Sequence, residues 1–119
     1  MPHLKLLDKA GNRAYRVDAA DAVVGRDPSC AVVLQGEGTG VVSSRHARLV
    51  LEDGSWWVED LGSRNGTFLN ARRLTTAARQ KLNPGDEISF GGTGPKLFAE
   101  EVVGRALAST ISEIPASEL

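Results

Sequence analysis

The feature that most constrains this chain is the way turn-forming clusters cut it into short apolar pieces. Lys9-Ala10-Gly11-Asn12, Glu52-Asp53-Gly54-Ser55 and Asn83-Pro84-Gly85-Asp86 concentrate the residues whose backbone freedom or side-chain hydrogen bonding suits tight turns. Between such clusters the apolar segments are only a few residues long, and helical periodicity is missing before the C-terminal tail. The candidate strands are Leu4 to Leu7, Tyr15 to Val17, Ala22 to Val24, Val32 to Leu34, Ala47 to Leu51, Trp56 to Asp60, Thr67 to Leu69, Arg72 to Leu74, Gln80 to Leu82, Glu87 to Phe90 and Lys96 to Ala99. About eleven short strands of this kind predict an all-β sandwich of two stacked antiparallel sheets.

Alternation along one segment shows which side faces the core. In Trp56-Trp57-Val58-Glu59-Asp60, Trp56, Val58 and Asp60 share one face, and Trp57 and Glu59 share the other. The first face is expected to be buried. Asp60 is then a partly buried acid at a strand end, placed to accept backbone N–H bonds from the turn at Ser63 to Gly66.

At 119 residues the chain is long enough for one domain with its own core, expected over residues 1–100 with a tail or linker over 101–119. A single cysteine, Cys30, excludes an internal disulfide framework and points to a reducing, cytoplasmic compartment. No signal peptide opens the chain, and no apolar run approaches the roughly 20 residues of a membrane span. With 14 Lys+Arg against 15 Asp+Glu, the net charge of -1 supplies no long-range field for a polyanion, so non-specific nucleic-acid binding is not expected.

A small local basic cluster remains, suited to one or two negative charges. Gly25-Arg26, Ser43-Ser44-Arg45-His46 and Ser63-Arg64-Asn65-Gly66-Thr67 each fall between strands and carry anion donors, guanidinium on Arg26, Arg45 and Arg64 and hydroxyl on Ser43, Ser44 and Ser63. A phosphate monoester, with a charge of about -1.5 to -2 and three strong acceptor oxygens, needs this combination of charge and several donors. The forked cation of Arg26 can hold two of those oxygens together. Asn65-Gly66 also reads as a tight hairpin turn, and the two readings are compatible, because Gly66 permits positive φ while the Asn65 amide offers both a donor and an acceptor.

The order and spacing of these pieces from Leu4 to Glu100, together with Asp60-Leu61-Gly62 and Leu82-Asn83-Pro84-Gly85-Asp86-Glu87-Ile88, resemble the forkhead-associated (FHA) domain, a family of modules that bind phosphothreonine peptides. The resemblance implies a non-enzymatic recognition module acting downstream of a Ser/Thr kinase, with a phosphothreonine-containing protein or peptide as partner and no cofactor. Phosphate contacts then fall to Arg26, Ser43, Ser44, Arg45 and Arg64, and the peptide backbone to Asn65. Gly25, His46, Asp60 and Gly66 brace the loops; His46, three residues after Ser43, matches the family's Ser-x-x-His brace. Two departures stand out. Ser44 occupies a position where many members carry Arg or Asn, a contact that is lost or taken over by Arg45. The Gln35 to Val41 loop is longer than usual, and its glycines imply mobility.

Other readings fit less well. A Ser–His–Asp hydrolase built on Ser43, His46 and Asp60 lacks a Gly-x-Ser-x-Gly elbow, and the Gly-rich loop lacks the Gly-Lys-Ser/Thr of a P-loop. His3 and Cys30 are too isolated for a metal site, and Cys30 is expected to pack as a small apolar residue behind the Arg26 loop. The alternative function is an FHA scaffold for phosphate-independent interaction or self-association. In the tail, Thr110 is a candidate phosphoacceptor that would engage the site of a second molecule.

Overall fold

A computed structural model of the protein describes residues 2–8, 12–36, 38–75 and 78–104. Residues 9–11 of the first expected turn, Glu37 of the long loop and Thr110 of the tail lie outside these residues. Eleven strands form among the described residues: β1 (His3–Asp8), β2 (Arg13–Val17), β3 (Asp21–Gly25), β4 (Val32–Val33), β5 (Ala47–Glu52), β6 (Ser55–Asp60), β7 (Thr67–Leu69), β8 (Arg72–Arg73), β9 (Arg79–Lys81), β10 (Glu87–Phe90) and β11 (Lys96–Val103).

They build two sheets, one in the order β2-β1-β11-β10-β7-β8 and the other in the order β4-β3-β5-β6-β9. The pairings are antiparallel with one exception. β4 runs parallel to β3, with Val24 opposite Val32 and Gly25 opposite Val33. β11 continues past the expected Ala99 to Val103 because it pairs along β1, His3 opposite Val103 and Leu7 opposite Phe98, with a register shift between Lys5 and Leu6. The apolar alternation that suggested a strand end at Ala99 stops there, at Glu100-Glu101, but the backbone ladder does not.

The expected inward face of β6 is buried, with Trp56 and Val58 fully enclosed and Asp60 nearly so. They pack with Leu4, Leu6, Val24, Leu49, Ile88, Phe90 and Leu97 in one core shared by both sheets. Trp56 is its largest member, and an indole of about 150–250 Å² contributes about 4–6 kcal/mol at 25 cal/mol per Å², an upper figure. Its one polar atom is satisfied, since Nε1 donates to Val103 O at 2.9 Å. That bond also pins the last strand of one sheet to the second sheet.

The two ends of the sandwich differ. At one end lie the Asp53-Gly54 turn between β5 and β6 and the chain leaving β11, where Gly104 packs against the Gly54 backbone. At the other end β3, β6 and β10 give way to loops while β5 and β7 begin, and three of those loops carry the cluster singled out above.

Candidate functional site

Backbone hydrogen bonds draw the three loops into one surface. Arg26 N donates to Ser43 O at 3.2 Å, Asp27 N to Ser44 O at 3.1 Å and His46 N to Val24 O at 2.8 Å, which lays the Ser43–His46 turn along the end of β3. The third loop joins through Leu61 N to His46 O at 3.0 Å, and through Arg64 N to Ser43 Oγ at 3.2 Å. Because Ser43 Oγ accepts in that bond, its own O–H proton stays available to a ligand.

Gly25 acts through its lack of a side chain. Its φ is not positive. A Cβ at this position would be driven into the Ser44 carbonyl oxygen, so glycine is required for close approach between two backbones. Gly66 does sit at φ 89°, in the left-handed region where an L side chain is strained.

His46 is fully buried and uses both ring nitrogens. Nδ1 accepts from Ser43 N at 3.0 Å and Nε2 donates to Gly66 O at 2.7 Å, which fixes the neutral Nε2–H tautomer. Its ring stands edge-on to Phe90, with centroids 5.5 Å apart. Burial pushes its pKa below the ordinary histidine value, against the opposing pull of the Gly66 carbonyl and the Asp60 charge. With both nitrogens committed to the scaffold, this ring has no site from which to take a proton from Ser43 Oγ, which removes the hydrolase reading.

Asp60 acts as a hub. Its Oδ2 accepts from Gly62 N and Ser63 N, each at 3.0 Å, while Oδ1 accepts from Ser63 Oγ at 2.5 Å and Thr67 Oγ1 at 2.7 Å. Burial works against its ionisation, but the hydrogen bonds from Ser63 and Thr67 outweigh it and hold the carboxyl below the usual aspartate value. Ser63 Oγ in turn accepts from Gly66 N at 2.9 Å. Ser63 is therefore a brace within the turn, with its proton directed at Asp60.

On this scaffold sits an open cleft of about 290 Å³ lined by Arg26, Gly40, Val41, Val42, Ser43, Ser44, Arg64 and Asn65. Among the described residues no carboxylate lines it. Arg26 is held in place by Nε, which donates to Val42 O at 2.6 Å, leaving the two terminal guanidinium nitrogens for a ligand. Asn65 Nδ2 donates to Val41 O at 3.0 Å, so the amide already grips the neighbouring loop and its Oδ1 is the group left free among the described residues.

Four of the five residues expected to contact phosphate thus converge with Asn65, and Arg45 does not. Arg45 is exposed outside the lining; the pKa of Asp21 is lowered chiefly by the Arg48 hydrogen bond and that of Asp27 by the Ser29 hydrogen bonds, with the Arg45 charge a minor addition to each. The sequence reading missed Val41 and Val42, whose carbonyls anchor Asn65 and Arg26. It also missed Thr67, whose hydroxyl lies on Asp60. The Gln35–Val41 loop, expected to be mobile, ends in a 3-10 turn over Thr39–Val41, closed by Val42 N to Thr39 O at 3.0 Å. A hydroxyl or amide one residue from a turn carries no sequence signal for such bonds. Cys30 is buried as expected, with Sγ 3.3 Å from Ser44 O, and burial raises its pKa.

Among the described residues no helix is long and apolar enough to cross a membrane, and no three His, Cys, Asp or Glu side chains are grouped to hold a metal ion.

Comparison with known proteins places this geometry. Residues 22–91 match the profile of the family described as FHA domain. FhaB of Mycobacterium tuberculosis, an FHA domain-containing protein, is 39% identical over 75 residues, which cover 63% of this chain and 45% of FhaB. The chain thus spans less than half of that relative. The solution structure of an FHA domain from Arabidopsis thaliana superposes with a TM-score of 0.75 at 26% identity, covering 89% of this chain and 91% of that one. Mycobacterium tuberculosis EmbR in complex with a low-affinity phosphopeptide gives a TM-score of 0.71 at 27% identity, covering 89% of this chain and 26% of EmbR.

Proposed function

The chain belongs to the FHA domain family, and from that premise we propose that it is a non-catalytic module that binds phosphothreonine peptides produced by a Ser/Thr kinase. The observation that carries this reading is the makeup of the end cleft: two guanidinium groups and two serine hydroxyls line a common space, with no acid among its described lining residues. Arg26 supplies the paired donors for two phosphate oxygens, Ser43 and Ser44 donate hydroxyl protons, and Arg64 adds the second charge. Asn65 Oδ1 accepts from the peptide backbone beside the phosphate.

Calorimetric titration with a phosphothreonine peptide, its phosphoserine counterpart and the unphosphorylated peptide tests the proposal. The first is expected to bind, the second about ten-fold more weakly for want of one buried methyl, and the third not detectably. Equal binding of all three would favour phosphate-independent association through the same scaffold.

Self-association through phosphorylated Thr110 follows the same chemistry only between molecules. Gly104, the last described residue, lies at the end away from the cleft. Six further residues reach at most about 20–22 Å. β6 alone accounts for about 17 Å of the path back, before the loops are rounded. Phosphorylated Thr110 therefore meets the cleft of another copy, and sedimentation should show a concentration-dependent assembly that Arg26→Ala abolishes.

A further inference from the structure

A second, larger cleft of about 450 Å³ shares no lining residue with the first, and the recognition chemistry above does not use it. Its walls are β8 and β9, the terminal strands of the two sheets, so each presents one backbone edge that no strand among the described residues pairs with. Arg72, Arg73, Gln80 and Lys81 line it together with a single acid, Asp86.

The charges in this cleft are not balanced. Asp86 is already engaged on both oxygens, Oδ1 accepting from Asn70 Nδ2 at 2.9 Å and Oδ2 from Asn83 N at 2.8 Å. Arg72, Arg73 and Lys81 are exposed and form no ion pair among the described residues. Neighbouring Arg79, by contrast, is paired with Glu52.

Arg73 joins this cleft to the first. It stands opposite Phe68 in the β7–β8 register, with its guanidinium 5.9 Å from that ring. The same guanidinium covers Gly66, so closely that a Cβ there would lie 2.8 Å from Arg73 Nε. Gly66 follows Asn65, which lines the end cleft. A cationic path therefore runs from Arg26 and Arg64 past Asn65-Gly66 and over Arg73 to Arg72 and Lys81.

Building on the phosphothreonine reading, we propose that the cleft between β8 and β9 holds an extended acidic segment of the same partner chain, one flank of the phosphothreonine running past Asn65-Gly66 and over the outer face of Arg73. Carboxylates of that segment pair with Arg72, Arg73 and Lys81, and its extended backbone suits the open strand edges. The charged edge alone would also discourage sheet-to-sheet aggregation. Selective capture of acidic peptides separates the two roles.

The test uses a neutral phosphothreonine peptide and two derivatives carrying six glutamates, one before and one after the phosphothreonine. Six residues span about 20 Å when extended. One derivative is expected to bind about five-fold or more tightly than the neutral peptide at low salt, the gain of a few exposed charge pairs acting together, and to lose that gain at high salt. The double variant Arg72→Glu/Lys81→Glu, its melting temperature unchanged, should abolish the gain and leave the neutral phosphopeptide bound as before. If neither derivative binds more tightly while the neutral phosphopeptide still binds, this inference is overturned and the phosphothreonine reading stands. A gain that persists in the double variant overturns it as well, because the acids then act elsewhere. Failure of every phosphopeptide to bind would overturn the phosphothreonine reading itself.

Discussion

His46 Nε2 donates to the Gly66 carbonyl oxygen at 2.7 Å, a bond that ties the residue preceding the first strand of one sheet's central hairpin to the residue preceding β7 of the other. Gly66 O also accepts from Gly91 N at 2.8 Å, so a third loop depends on the same carbonyl. Recognition loops from both sheets are thus fixed through one buried imidazole.

Replacing that imidazole should cost stability first. His46→Ala leaves Ser43 N without its acceptor and Gly66 O with one partner fewer, and buried groups left unsatisfied cost about 1–3 kcal/mol each. A clear fall in melting temperature, accompanied by weaker phosphopeptide binding, is the expected result. An unchanged melting temperature would contradict the bracing role.

The same ring makes stability depend on pH. The folded pKa of His46 is depressed by burial, so below the unfolded value of about 6.5 the unfolded chain takes up the proton first. Its contribution is complete above that pH and is lost as pH falls toward the folded value. Asp60, also depressed, adds stability that is complete above about 3.9 and is lost in more acid solution. Urea denaturation between pH 8 and pH 5 should show the first loss, and His46→Gln should flatten it. His3, which lies against Glu101, is common to both proteins and drops out of the comparison.

Arg26→Ala should reduce phosphopeptide affinity by roughly 2–5 kcal/mol, the range for truncating one partner of a buried charge pair. Arg26→Lys should recover little of this. It keeps the charge but loses both the fork and the Nε bond to Val42 O. Because the guanidinium is exposed, both variants should melt close to wild type. Calorimetry and thermal denaturation on the same samples check this.

Gly25→Ala should show the opposite balance. The added methyl cannot coexist with the Ser44 carbonyl where it stands, so the Ser43–Ser44 backbone has to move, at about 1–3 kcal/mol of stability. Affinity should fall with it, because Ser43 and Ser44 both line the cleft. A variant as stable and as tight-binding as wild type would mean that the two backbones separate freely.

The strands were legible because their signals are local. Alternation in Trp56 to Asp60 and the Gly, Pro and Asn clusters at Asp53-Gly54 and Pro84-Gly85 depend on neighbours in sequence, and every expected strand appears near its expected bounds except β11, which runs on past Ala99 to Val103. The site was legible in part. The FHA-like spacing brought Arg26, Ser43, Ser44, Arg64 and Asn65 to one cleft, but it included Arg45, which the turn directs elsewhere. Arg73 was invisible to this reading. Its position over Gly66 comes from strand register, Phe68 opposite Arg73, and register joins residues by hydrogen-bond ladder and not by spacing along the chain.

The pairing of His3 with Val103 puts the start of β1 and the end of β11 side by side, at the pole remote from Arg26 and Asn65. A polypeptide joined directly before His3 or directly after Gly104 would therefore begin on the side opposite the cleft. Attachment to a solid support at either of these two positions should leave the end cleft facing outward.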